Sequence, residues 1–145
     1  MKQYKKALVA LSLDQRQDLQ ILNIAKDLVH EYQTQLTLMH CLKHMSAYAG
    51  ACGLMAGIDL ESILARQSKE MMLEEVSDNN LTVDNALIVS GLVADSIINK
   101  ARELGSDVII IGKQNGSWFT NLLRQNLCDK VMRLANCDVL AVDTQ

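Results

Sequence analysis

Short apolar runs and longer amphipathic stretches alternate along the whole chain. Residues 4–12 form the first run, with Ala7, Leu8, Val9, Ala10 and Leu11 as its middle. Further runs cover residues 35–42, 81–89, 107–111 and 139–142. Each is short, bounded by turn residues and rich in branched or long aliphatic side chains, the pattern of a buried strand. The intervening stretches repeat at helical spacing. Over residues 15–32 the apolar positions are Leu19, Leu22, Ala25, Leu28, Val29 and Tyr32, with Arg16, Gln20, Asn23 and Asp27 on the wet side. Asp59 caps a helix running to about residue 78, in which Leu60, Ile63, Leu64, Met71 and Met72 are expected to face inward, with a weaker period. Val93, Ile97, Ile98, Ala101 and Leu104 mark a third helix. Leu122, Leu123, Leu127, Val131 and Leu134 mark a fourth over residues 120–135.

Strand and helix therefore alternate from end to end. That order predicts one doubly wound α/β domain over residues 1–145, a five-stranded parallel sheet with helices on both faces. The run Val108, Ile109, Ile110, Ile111 has no polar break and suits a central strand buried on both faces. It ends at Gly112 and opens into the polar loop Lys113, Gln114, Asn115, Gly116, Ser117. Loops leaving the carboxyl ends of such strands carry the ligands of open α/β sheets. A glycine there permits close backbone approach, and free N–H groups ahead of a helix suit phosphate. The same glycines equally suit plain tight turns. A second loop, residues 44–57, is rich in small residues, carries two methionines and follows no period.

Composition narrows the function classes. With 49% apolar residues the 145-residue chain can build a full core, while 3% aromatics and a net charge of -3 speak against nucleic acid as a partner. No stretch is apolar for long enough to span a membrane. Lys2, Lys5 and Lys6 precede an apolar run, but Asp14, Arg16 and Asp18 follow it and no small-residue cleavage site appears, so the run reads as a strand. Cys41, Cys52, Cys128 and Cys137 contain no Cys-x-x-Cys pair, which suggests reduced thiols in a cytoplasmic protein.

Several catalytic and binding motifs are missing: the Gly-x-Gly-x-x-Gly fingerprint, the P-loop and the Gly-x-Ser-x-Gly elbow. His40 and Cys41 are strand neighbours that point to opposite faces, and with His44 they do not make a metal site. Cys128 stands beside Asp129, which raises a thiol pKa, so it and Cys41 read as packing residues. No nucleophile and base pair by spacing, so an enzyme is not expected.

Read together, the first strand, the Ser90-Gly91 step before the third helix, the loop Gly112, Gln114, Trp118, Phe119 and the tail Asp138, Val139, Leu140, Ala141, Val142 resemble the universal stress protein family. The resemblance runs from Tyr4 to Val142. It is strongest with the A-type subgroup, which lacks the full ATP-binding motif. It implies an adenine nucleotide alpha hydrolase-like sheet in the order 3-2-1-4-5, with the switch point between the first and fourth strands. It also implies a cytoplasmic homodimer, paired through residues 139–142 and serving stress resistance and growth arrest.

ATP-binding members of the family place an aspartate after the first strand, contact adenine from the end of the second, and wrap the phosphates with Gly-x-x-Gly, nine residues, then Gly-Ser or Gly-Thr. By resemblance the corresponding positions here are Ser12, Cys41, Gly112, Lys113, Asn115, Gly116, Gln125 and Asn126. Ser12 replaces the aspartate, and Asp14 comes two residues late. Asn115 stands where the second glycine belongs, and Gln125 with Asn126 replaces the last pair. The expectation is a non-enzymatic stress-response regulator with no metal, no cofactor, no tight ATP binding and an unidentified protein partner. Lys113, a flexible cation beside the loop, supports the alternative of an ATP- or AMP-binding member working as a nucleotide-dependent switch or slow ATPase.

Overall fold

The computed structural model describes residues 2–42, 59–113 and 127–144. The 44–57 loop, most of the loop after Gly112 and the start of the last helix lie outside them. Five strands and four helices are described: β1 (Lys6–Ala10), α1 (Gln15–Tyr32), β2 (Gln35–Leu42), α2 (Leu60–Asp78), β3 (Asn85–Ser90), α3 (Val93–Leu104), β4 (Val108–Lys113), α4 (Leu127–Leu134) and β5 (Asp138–Asp143). The strands form one parallel sheet in the order β3-β2-β1-β4-β5, as the resemblance implied.

Alternation along the strands divides the core into two layers. Ala7, Val9, Leu36, Leu38 and Ile110 face α1 and α2, meeting Ile21, Leu22, Ala25 and Met72. Leu8, Met39, Ile109 and Ile111 face α3 and α4, meeting Ala94, Ile97, Ala101, Cys128 and Val131. Side chains fix the amino ends of the strands. The Asp107 carboxylate accepts the Lys5 and Lys6 N–H groups at 2.8 and 2.9 Å, setting β1 against β4. Asp84 accepts Leu36 N–H at 2.8 Å beside β2. Gly105 ends α3 in the left-handed conformation (φ 63°), which a residue without a Cβ adopts freely.

The inner faces of three helices differ from expectation. Leu19 in α1 and Ile63 and Met71 in α2 are exposed, as is Leu134 in α4. In α2 the buried residues are Ser68, Met72 and Glu75. Their spacing of four and three puts them on one helical face, so the inward stripe runs through two polar residues and bypasses Ile63 and Met71. The strand bounds also shift. β1 is shorter at both ends than the apolar run, β3 begins four residues later, and β4 extends through Gly112 to Lys113.

Candidate functional site

The switch point between β1 and β4 sits where their following chains diverge, at the carboxyl edge of the sheet. Past β1 the chain is first tied to β2: Leu11 N–H donates to the Met39 carbonyl at 2.9 Å, and His40 Nδ1 lies 2.8 Å from the Leu11 carbonyl. His40 is thus a strand-end tie. Among the described residues no cluster of three or more His, Cys, Asp or Glu side chains could hold a metal ion.

Ser12 turns the chain away from the sheet. Its backbone N–H and its hydroxyl both donate to Asp18 Oδ1 at 3.0 Å. Leu13, in the left-handed region (φ 65°), donates its N–H to Asp18 Oδ2 at 2.8 Å. That conformation is uncommon for a residue with a branched bulky side chain and persists only where its surroundings hold it. Asp14 donates its N–H to Ser12 Oγ at 3.2 Å and caps α1 by accepting Arg16 N–H at 3.0 Å. The Ser12 hydroxyl therefore spends its one proton and one lone pair within the loop. Asp18 is fully buried and serves three donors of that loop.

The other predicted positions fall into two groups. Cys41 is buried at the end of β2, and its thiol points at the Gly91 carbonyl 3.5 Å away. Burial pushes that thiol's pKa up, against a smaller opposite effect from Ser96. Gly112 lies within β4, paired with Val142 of β5. A Cβ built there would meet Thr144 Cγ2 at 2.9 Å and Ile21 Cδ1 at 3.1 Å, so the space beside this glycine is filled by the chain itself. Lys113 ends β4 in solvent, and its carbonyl accepts the Thr144 hydroxyl at 3.1 Å. Asn115, Gly116, Gln125 and Asn126 lie outside the described residues. Among the described residues Cys41, Cys128 and Cys137 form no disulfide. Burial first, and Asp129 second, raise the Cys128 pKa, while Lys113 opposes them.

Two residues of this region were not anticipated, Asp18 and Glu75. Asp18 lies on α1, one position before the exposed Leu19, and the apolar pattern gives no hint of its burial. Glu75 is 3% exposed on α2, and neither of its carboxyl oxygens has a hydrogen-bond partner. The spacing of Ser68, Met72 and Glu75 was its only signal in the sequence.

At the position where the resemblance placed an aspartate the chain holds Ser12, already engaged by Asp18, and a side chain at Gly112 would meet Thr144 and Ile21 of the chain itself.

Comparison with known proteins places these observations. Residues 3–143 match the model of the Universal stress protein family. Universal stress protein A homolog 2 of Coxiella burnetii is 37% identical over 142 residues, covering 98% of this chain and 97% of that protein. Among solved structures, a universal stress protein in complex with cAMP superposes with a TM-score of 0.69 at 15% identity, covering 99% of this chain and 100% of the other. The universal stress protein from Archaeoglobus fulgidus in complex with dAMP gives 0.65 at 17% identity, over 97% and 98% of the two chains. At those identities the structural likeness speaks for the fold.

Proposed function

The chain belongs to the universal stress protein family, and from that premise we propose that it is a non-enzymatic, cytoplasmic regulatory homodimer that does not bind ATP tightly. The observation that carries the proposal is the closure of Ser12 on Asp18. A ligand reaching this edge of the sheet would have to displace a buried carboxylate from three donors. Hydrogen bonds to a charged group contribute about 1.5–3 kcal/mol each, so breaking even two would weaken binding by roughly a hundredfold or more. Regulation would then pass through the protein surface to a protein partner.

A second reading is favoured by one observation. Two proteins of the same fold are found with cAMP and dAMP, both single-phosphate nucleotides that need no cradle for a polyphosphate. On this reading the chain is an AMP-class switch.

Calorimetry with Mg-ATP, AMP and cAMP separates the readings. The main proposal expects no binding of Mg-ATP in the low micromolar range. Tight Mg-ATP binding would overturn it, and tight binding of AMP or cAMP alone would establish the second.

A further inference from the structure

Two buried carboxyl groups, Asp18 and Glu75, lie in the layer between the sheet and the helices α1 and α2. Asp18 from α1 is fully buried, and its two oxygens hold the loop through Ser12 and Leu13. Glu75 from α2 is almost as deeply buried, and both its oxygens are without a partner. An ionised carboxylate left in that state is costly, because burial removes its water and nothing replaces it. The charges bearing most on Glu75 are also negative: Asp18, Asp14 at the cap of α1, and Asp78 on its own helix. β1 and β2 contribute Ala7, Val9, Leu36 and Leu38 to this layer, all apolar. Lys69 of the same helix donates to the Ala86 carbonyl.

We propose that Glu75 and Asp18 share one proton, and that this proton keeps the loop of residues 12–14 closed over the carboxyl edge of β1. Glu75 is the proton carrier and Asp18 the acceptor. A neutral Glu75 would have an O–H to donate, and the Asp18 carboxylate, the side chain that bears most on it, would be its acceptor. Burial first, and the Asp18 carboxylate next, push the Glu75 pKa up to about 8. When the proton leaves, two buried negative charges face each other. Their repulsion then strains the three hydrogen bonds by which Asp18 holds the loop, and displacing the Asp18 carboxylate breaks them. Leu13 then loses the contact that holds its positive φ. Glu75 is thus a positioning residue for the loop. The inference goes beyond the proposed function and does not depend on whether a nucleotide binds.

The sign follows from linkage. A carboxyl whose pKa is raised on folding binds a proton in the folded state that the unfolded chain releases. Its stabilisation is complete below the ordinary glutamate value and is lost as pH rises towards about 8, beyond which it is constant. Across that window the unfolding equilibrium constant grows about tenfold per pH unit through this group.

The experiment follows the Ser12 and Leu13 amide resonances of the full chain from mildly acid to alkaline pH, together with urea unfolding over the same range. In the wild type both amides are expected to titrate with a midpoint near 8. In Glu75→Gln, whose amide mimics the protonated acid, the titration disappears and the tenfold-per-unit loss goes with it. Amides that do not titrate in the wild type, or that titrate identically in the variant, would overturn the proposal. If Glu75→Gln fails to fold, Asp18→Asn serves: it keeps an oxygen for the loop but carries no charge, so the midpoint must fall, and an unmoved midpoint refutes the shared proton. Repeating the wild-type titration with millimolar Mg²⁺ or Ca²⁺ at fixed ionic strength tests for a cation instead. A midpoint displaced by the metal would mean that an ion, not a proton, neutralises the pair.

Discussion

The buried carboxylate of Asp18 accepts both the backbone N–H and the hydroxyl of Ser12, each at 3.0 Å. Acidic character at the end of β1 is therefore retained, but it comes from the following helix and points into the loop. Restoring an aspartate at position 12 should not restore a nucleotide site. In Ser12→Asp the hydroxyl donor is lost and two carboxylates crowd together, so urea unfolding at neutral pH is expected to show a loss of about 2–3 kcal/mol. One of the two must take up a proton to relieve the repulsion, so its pKa is raised on folding and stability recovers as pH falls. Adding Asp18→Asn should restore most of the loss at neutral pH. Tight Mg-ATP binding by Ser12→Asp, with stability unchanged, would contradict this account.

Gly112 is a packing glycine between β4, the Thr144 methyl and Ile21. Both contacts are side-chain ends, so each can yield. Gly112→Ala should cost about 1–2 kcal/mol of stability, and the larger valine more. Thr144→Ser, which removes the methyl and keeps the hydroxyl bonded to the Lys113 carbonyl, should rescue part of the loss. Chemical denaturation of the three variants checks this. No rescue would mean that Ile21 alone sets the limit.

The alternation of strand and helix was legible because each strand is a compact apolar run and most helices are periodic, while the strand order came from the family resemblance. The bounds of α1 and β2 follow directly from Asp14 as cap and from the Gln33-Thr34 turn. The candidate site was legible only in part. Ser12, Cys41, Gly112 and Lys113 do gather at one edge of the sheet, as their places at strand ends required. Their engagement by the chain itself was not visible, because the apolar pattern assigns no place to Asp18 or Glu75. Periodicity reports where apolar side chains go. It is silent on a buried acid whose partners come from a loop or from a different helix. The exposed Leu19, Ile63 and Met71 are the same failure seen from the other side.

Burial raises the pKa of both the Cys41 and Cys128 thiols. A thiolate is the reacting species, so both cysteines should be inert in the folded protein near neutral pH. Brief alkylation followed by peptide mapping is expected to leave Cys41 and Cys128 unlabelled, and to label both in urea. Rapid native labelling of Cys128 would show that Lys113 outweighs burial and Asp129, and would reopen a redox role.

β5 is an edge of the sheet, and Leu140 on it is 38% exposed. Met132 and Leu134 on α4, which packs beside β5, are also exposed. An unpaired strand edge with apolar side chains beside it is a liability unless something covers it. Thr144 does not fold over that edge, since its hydroxyl bonds back to Lys113 of β4 and so lies on the inner side of β5. A second copy, pairing its own β5 across a two-fold axis, would bury both edges at once in a closed assembly. Light scattering at micromolar concentration is therefore expected to give a dimer mass. Leu140→Lys places a charge at the centre of that contact and should give a monomer with an unchanged far-UV spectrum. A wild-type monomer would refute the pairing, and a dimer that survives Leu140→Lys would move the interface away from β5.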